Sequence, residues 1–285
     1  MELTNILKKE NLVYAGKSKD VYRIPDGPYA EKYAFVFTDK GTGYFDDKGN
    51  PVFDPGYDTV VGEIPGKGAI AFKFAAYFFE LLKKSGIPTH YIATAGDSVM
   101  IVEPADPLGL PEGGPEFEGS VPLQNLEWTW RNNAMGSFWR RYPFVRPGKN
   151  LHRVVEAWTK GDADILITYE ALEAAGVMTR EEIEGVDTLV KDIAEVVCRD
   201  LAEKGIHVID GKFELGRLKH GDGKIVLIDE ISPDVLRVCD GYAPDAAGDC
   251  TAYRECIRTT FANGKRTIKG RKQLNAAALE KSVLG

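Results

Sequence analysis

Between Ile209 and Gly216 of this 285-residue chain, apolar and ionisable residues alternate without a break. On a strand Ile209, Phe213 and Leu215 share one face with Gly211, and Asp210, Lys212 and Glu214 share the other. His220-Gly221-Asp222-Gly223 is a turn signal, so the next strand folds back antiparallel. A four-residue loop closed by Lys219 and Lys224 sets Glu214 opposite Asp229, the acid that follows the apolar run Ile225 to Ile228. Carboxylates facing one another at roughly 5 Å between Cβ atoms repel. A hard divalent cation removes the conflict, and Mg²⁺ accepts one or two carboxylates plus substrate phosphates. The alternative is a solvated face with one acid in the wrong register, because a one-residue slip sends Asp229 to the other face.

Three further segments suit phosphate. Gly16-Lys17-Ser18-Lys19 lies in a strand–turn–strand context and is not a Walker loop. It reads either as a lid whose amides and lysines cover nucleotide phosphates or as an ordinary hairpin with solvated lysines. Arg131-Asn132-Asn133-Ala134-Met135-Gly136-Ser137 joins a strand to a helix start, where amides, Arg131 and Ser137 suit an anion, although Asn133 also serves as a plain helix cap. Asp234 and Arg237 follow the Asp229 strand and read as site residues or as a local salt bridge.

The rest of the composition narrows the field. A net charge of −7 disfavours a nucleic-acid partner. The longest apolar stretch, Ala69 to Leu82, contains Lys73 and is too short to span a bilayer, and the N-terminus lacks the apolar core of a secretory signal, so a cytoplasmic enzyme is expected. The four cysteines form no CxxC and read as free thiols. His90 and His207 lie in apolar runs, and no nucleophile–base constellation stands out.

The elements that must position these residues are short strands and a few helices. Val13-Tyr14 and Val21 to Ile24 flank the Gly16 turn, Tyr33 to Phe37 is a third strand, and Asp39 to Gly68 is a Gly- and Asp-rich loop. Ile70 to Lys84 has helical spacing with Gly86 and Pro88 beyond it, and His90 to Thr94 pairs with Val99 to Val102. Residues 104–122, with five prolines and four glycines, read as a linker. Beyond it lie a strand (Leu126 to Arg131), a helix (Ala134 to Arg141), a long helix (Asp187 to Lys204) and two strands (Ile206 to Leu218, Lys224 to Ile231). The fold expected is α+β: an N-terminal antiparallel-sheet lobe with the phosphate-covering hairpin (1–103), the linker, and a C-terminal α+β lobe (123–285).

Together GKSKDVY (16–22), RNNAMGS (131–137), DGKFELG (210–216) and DEISPDVLR (229–237) resemble, in order, the signature segments of the SAICAR synthetase family, over most of the chain from about Tyr14 to Asp240. That resemblance implies a two-lobed fold related to ATP-grasp enzymes, with an interlobe nucleotide cleft. It implies an ADP-forming ligase of purine biosynthesis that uses ATP and Mg²⁺. ATP phosphorylates the carboxylate of carboxyaminoimidazole ribotide (CAIR), and aspartate's amine attacks the acyl phosphate. Carried over residue by residue, Gly16, Lys17, Ser18 and Lys19 meet ATP phosphates and Glu103 borders the adenine. Glu214 and Asp229 hold the metal. Arg131, Ser137 and Arg237 grip the substrate phosphate, with Asp210, Lys212 and Asp234 at the reacting groups. The partners implied are small molecules, with no nucleic acid or membrane, and a homo-oligomer is left open.

The chain departs from the family where the acceptor and amine would bind. The early TDRISA(F/Y)D-like loop reads Thr38 to Asp46 with its Arg and Ser-Ala altered, a polar residue expected after Ile64 to Gly68 is Phe72, and Cys239 replaces a Trp. A related ligase with another azole carboxylate or amine is therefore an alternative. A kinase-like phosphotransferase is another, though no HRD-type loop is present, and a nucleotide-binding protein without turnover is a fourth.

Overall fold

The computed structural model describes residues 3–53, 57, 59–109, 123, 125–160, 164–240, 244–250 and 280–284. Its elements, in chain order, begin with α1 (Leu3–Ile6), a 3-10 turn (Lys9–Asn11), β1 (Leu12–Ala15), β2 (Lys19–Arg23), β3 (Tyr33–Phe37), β4 (Lys40–Phe45), β5 (Pro51–Phe53) and β6 (Thr59–Glu63). There follow α2 (Lys67–Lys84), β7 (Tyr91–Ala95), β8 (Val99–Val102), β9 (Ala105–Pro107), β10 (Leu126–Asn133), α3 (Gly136–Arg141), β11 (Asn150–Thr159) and β12 (Leu166–Ile167). The last are α4 (Tyr169–Ala174), α5 (Arg180–Glu203), β13 (Ile206–Leu218), β14 (Ile225–Ile228) and β15 (Leu236–Asp240).

The strands form three sheets, with orders β1-β2-β3-β8-β7, β5-β4-β6 and β12-β11-β10-β13-β14, the last extended by β9 and β15 on β13. Every pairing of named strands is antiparallel, as an α+β chain with short hairpins requires. The first and third are tied together where His90 N donates to Leu227 O at 3.0 Å, beside a parallel bridge between Thr89 and Leu227. Apolar faces of both sheets, α2 and α5 share one buried cluster that includes Phe78, Phe79, Met100, Trp128, Trp130, Val190, Ile193 and Phe213.

Three expectations are corrected. The loop foreseen over Asp39 to Gly68 holds the three-stranded sheet β4–β6: Gly43 lies so close to β5 that a Cβ would sit 1.9 Å from Val52 O, which is why a glycine-rich run can be a strand here. The long helix starts at Arg180, seven residues earlier than expected, because Thr179 and Glu182 form a reciprocal capping box. The head of the expected linker is β9, which pairs with Gly216–Leu218; most of the remaining linker lies outside the described residues. Cys198 is a free thiol as expected, whereas Cys239 is disulfide-bonded. Among the described residues no helix is long and apolar enough to cross a membrane.

Candidate active site

The alternation in β13 builds one polar sheet face. Facing β13 across the ladder, β10 pairs Arg131 with Asp210, Thr129 with Lys212 and Glu127 with Glu214. Directly opposed residues share a face, so ionisable groups line up along both strands while Trp128, Trp130, Phe213 and Leu215 point into the core against α5. Glu127 and Glu214 are directly opposed on this face, a carboxylate pair that the sequence reading did not name.

Opposite Glu214 on the other side stands Ile228, not Asp229. The expected register fails by one residue because Lys219 N donates to Pro104 O, alongside β9, and the hairpin closes instead through Leu218 N and Lys224 O at 3.0 Å. The loop is therefore one residue longer. Simple alternation would then send Asp229 to the core, but its backbone turns left-handed (φ 69°) and the ladder ends. Such a conformation costs a non-glycine residue about 1–3 kcal/mol. The Asp229 carboxylate consequently still acts on Glu214: burial first, and then the charge of Asp229, raise the Glu214 pKa.

At this end of the face, Lys19 Nζ lies 2.8 Å from Asp229 and 3.0 Å from Glu230. Burial alone would lower the Lys19 pKa, but the two carboxylates outweigh it and the value is raised. Lys160 pairs with Glu214, which also accepts from Asn125 Nδ2 at 2.7 Å. Three carboxylates thus face two ammonium groups among the described residues, and Glu230 Oε2 is buried without a hydrogen-bond donor. No three Asp, Glu, His or Cys side chains of the described residues converge enough to hold a metal alone. The donor set fits a hard cation that takes one or two carboxylates and completes its shell from phosphate.

The opposite end is basic. Arg131 is buried and fully engaged: Nε to Glu156 at 2.7 Å, one terminal nitrogen to Asp210 at 3.0 Å and the other to Ser137 Oγ at 3.1 Å. Arg237 donates through Nε to the second Asp210 oxygen at 2.6 Å, and Arg141 pairs with Glu156 while lying 4.6 Å over the Trp158 ring. Burial would depress the Arg237 pKa, but Asp210 raises it further. Gly136 (φ 56°) opens α3 beside Arg237, where a Cβ would fall 2.2 Å from a guanidinium nitrogen. Between the two ends Lys212 pairs with Glu127 at 2.8 Å, and although burial lowers its pKa, that carboxylate together with Glu214 and Asp164 raises it more.

The structure brings Arg131, Ser137, Asp210 and Arg237 into one cluster and Lys19, Glu214 and Asp229 into another. In the turn before Lys19, Gly16 N donates to Lys19 O at 3.0 Å, and a Cβ on Gly16 would meet that oxygen at 2.5 Å. Ser18 Oγ lies 3.3 Å from Lys19 Nζ, and Lys17 shares the turn. Glu103 stands apart from both clusters, paired with Lys32 at 2.6 Å, just after its amide bonds His90 O. Asp234 pairs with Lys67 at 2.9 Å. Lys67, Glu127, Glu156, Lys160 and Glu230 have no assigned role in the sequence reading. Glu230 carried a signal, as the neighbour of Asp229 at the end of an apolar run, and so did Lys67, at a Pro-Gly-Lys-Gly helix start.

The SAICAR synthetase family matches residues 12–269 of the chain. The phosphoribosylaminoimidazole-succinocarboxamide synthase of Clostridium tetani is 38% identical over 231 residues, 80% of this chain and 91% of that protein. Its counterpart in Methanopyrus kandleri is 32% identical over 242 residues, 84% of this chain and 85% of its own. Among solved structures, a SAICAR synthetase (Type-2) in complex with ADP aligns with a TM-score of 0.62 at 32% identity, covering 80% of this chain and 84% of that one. The Type-1 structure of the Pyrococcus horikoshii enzyme aligns at 0.69 with 27% identity over 94% and 98%.

Proposed function

Since the chain belongs to the SAICAR synthetase family, we propose that it joins aspartate to the carboxylate of CAIR in purine biosynthesis, consuming ATP and releasing ADP and phosphate. The observation that carries this reading is one polar sheet face with a cation-rich end and a carboxylate-rich end. From Arg131 to Glu127 along β10 is four residues, about 13 Å at the usual rise. A phosphorylated ribosyl-imidazole spans much of that length, with its phosphate at Arg237, Arg131 and Ser137 and its carboxylate near Lys212.

In this reading Gly16, Lys17, Ser18 and Lys19 cover the ATP phosphates, Glu103 borders the adenine, and residues 1–103 and 123–285 are lobes closing an ATP-grasp-like cleft. Glu214 and Asp229 would hold Mg²⁺, which when bound neutralises charge on the transferring phosphoryl group. Lys212 orients the acceptor carboxylate, whose oxygen attacks the γ-phosphorus as ADP leaves, while Asp210 acts one step back by holding Arg131 and Arg237 at the phosphate end. The amine then attacks the acyl carbon, the C–N bond forms, phosphate leaves with the C–O electron pair, and the proton lost from the amine goes to the departing phosphate. Asp234, paired with Lys67, stands near the amine. Positioning and electrostatics supply the rate without a side-chain nucleophile. A cytoplasmic location accords with this chemistry.

Phosphate release from ATP and Mg²⁺ with CAIR, with and without aspartate, tests the proposal when the product is weighed by mass spectrometry. Aspartate-dependent release of SAICAR is expected. A protein that binds ADP but forms no amide from CAIR and aspartate would overturn the acceptor assignment.

A further inference from the structure

Lys19 has more anchors than one charge requires. Its Nζ reaches Asp229 at 2.8 Å, Glu230 at 3.0 Å and Ser18 Oγ at 3.3 Å, and the rings of Phe35 and Phe37 lie 5.9 and 5.5 Å beneath it. The two carboxylates differ in access: the Asp229 side chain is 30% exposed and that of Glu230 only 4%. A ligand from solvent can reach Asp229 and not Glu230. Glu230 also keeps Oε2 buried with no donor among the described residues, an unfavourable arrangement for a group serving stability alone.

We propose that Glu230 is a positioning residue that retains the Lys19 ammonium when a divalent cation with its polyphosphate takes over Asp229. The proposal rests on the nucleotide reading above. A dication and an ammonium cannot share one carboxylate closely without repulsion, so Lys19 must leave Asp229. Glu230 and the two ring faces hold it from the inner side, and the proton freed from Asp229 turns to phosphate. Lysine suits this task because its ammonium is a compact charge on a flexible stem. Without Glu230, Lys19 has Asp229 as its one carboxylate and competes with the metal for it.

Calorimetric titration of ADP, with and without Mg²⁺, tests this on the wild type, Glu230→Gln, Lys19→Met and the double variant. Loss of Glu230 is expected to weaken Mg²⁺-dependent ADP binding about tenfold, leaving Mg²⁺-free binding nearly unchanged. The double variant should bind no more weakly than Lys19→Met, since Glu230 acts through Lys19. Glu230→Asp, the conservative change, should recover part of the loss and decides the matter if Glu230→Gln fails to fold. Unchanged binding in Glu230→Gln, losses that add in the double variant, or no recovery in Glu230→Asp would overturn the proposal. Absence of ADP binding by the wild type would instead overturn the nucleotide reading itself.

Discussion

The two ends of the polar face are opposite in charge and in chemistry. Around Arg131, three guanidinium groups (Arg131, Arg141, Arg237) face two carboxylates (Asp210, Glu156) among the described residues. Around Lys19, three carboxylates (Asp229, Glu230, Glu214) face two ammonium groups (Lys19, Lys160). One end is short of an anion and the other of a cation. The basic end uses planar forks tied by several hydrogen bonds, which suit a fixed grip on an anion; the acidic end uses ammonium groups, compact charges on flexible stems that suit exchange in the proposed metal site. The comparison teaches that a permanent contact and an exchangeable one can share a sheet when neutral pairs such as Lys212–Glu127 separate them.

Breaking the acidic end should have the largest effect. Asp229→Asn is expected to lower kcat/KM for ATP about 10²–10³-fold while binding of the phosphorylated acceptor stays close to wild type. Steady-state kinetics with each substrate varied in turn would check this; an equal loss of acceptor binding would show the two ends are one unit. Next in size is Arg237→Ala, which in the proposed site removes a charged phosphate contact of about 1.5–3 kcal/mol. The KM for the acceptor should rise about 10–100-fold, with the KM for ATP little changed. Arg131→Ala is a poorer probe, because it also leaves Glu156 and Asp210 buried without their shared partner.

A smaller effect sharpens the basic end. Gly136→Ala puts a Cβ where an Arg237 nitrogen stands and demands φ 56° of a residue that disfavours it. Arg237 has to shift, so the acceptor KM should rise several-fold, less than in Arg237→Ala, since the guanidinium remains. A direct comparison of the two variants checks the ordering.

Which parts were legible in the sequence follows from how local each signal is. The alternation from Ile209 to Gly216 states its faces in its own pattern, and the polar row came out as read. The place of Asp229 depended on where the hairpin closed, and that was decided by Pro104, more than a hundred residues earlier in the chain. Two departures, the longer loop and the left-handed turn at Asp229, act against each other, so the Glu214–Asp229 coupling survives a register that was wrong. Glu230 and Lys19 are 211 residues apart and meet only through the tertiary fold. The β4–β6 sheet was missed because Gly41, Gly43 and Gly62 weaken strand propensity; Phe53, packed within 4 Å of where Cβ atoms on all three would lie, needs those glycines. The start of α5 could have been read from Thr179 and Glu182, a capping-box spacing followed by Ile183 and Val186.

That capping box gives a change that should leave both ends of the face untouched. Glu182 accepts from Thr179 N at 2.9 Å and from Arg217 at 2.5 Å, fastening α5 to the strand whose other face carries the site. The Arg217 hydrogen bond, opposed by slight burial and aided by the Thr179 amide, holds the Glu182 pKa below its ordinary value. A carboxylate with a lowered folded pKa contributes stability above its unfolded pKa, about 4.3, and that contribution disappears as pH falls through the folded value. Glu182→Gln should therefore lower Tm by about 2–4 °C at neutral pH, for a cap of about 1 kcal/mol. The gap to wild type should narrow as pH drops below 4.3, while the KM values at pH 7 stay unchanged. Thermal unfolding of both proteins across acidic pH is the check. A gap independent of pH would mean that the loss does not come from the Glu182 charge, and no gap at all would mean that the amide supports α5 as well as the carboxylate does.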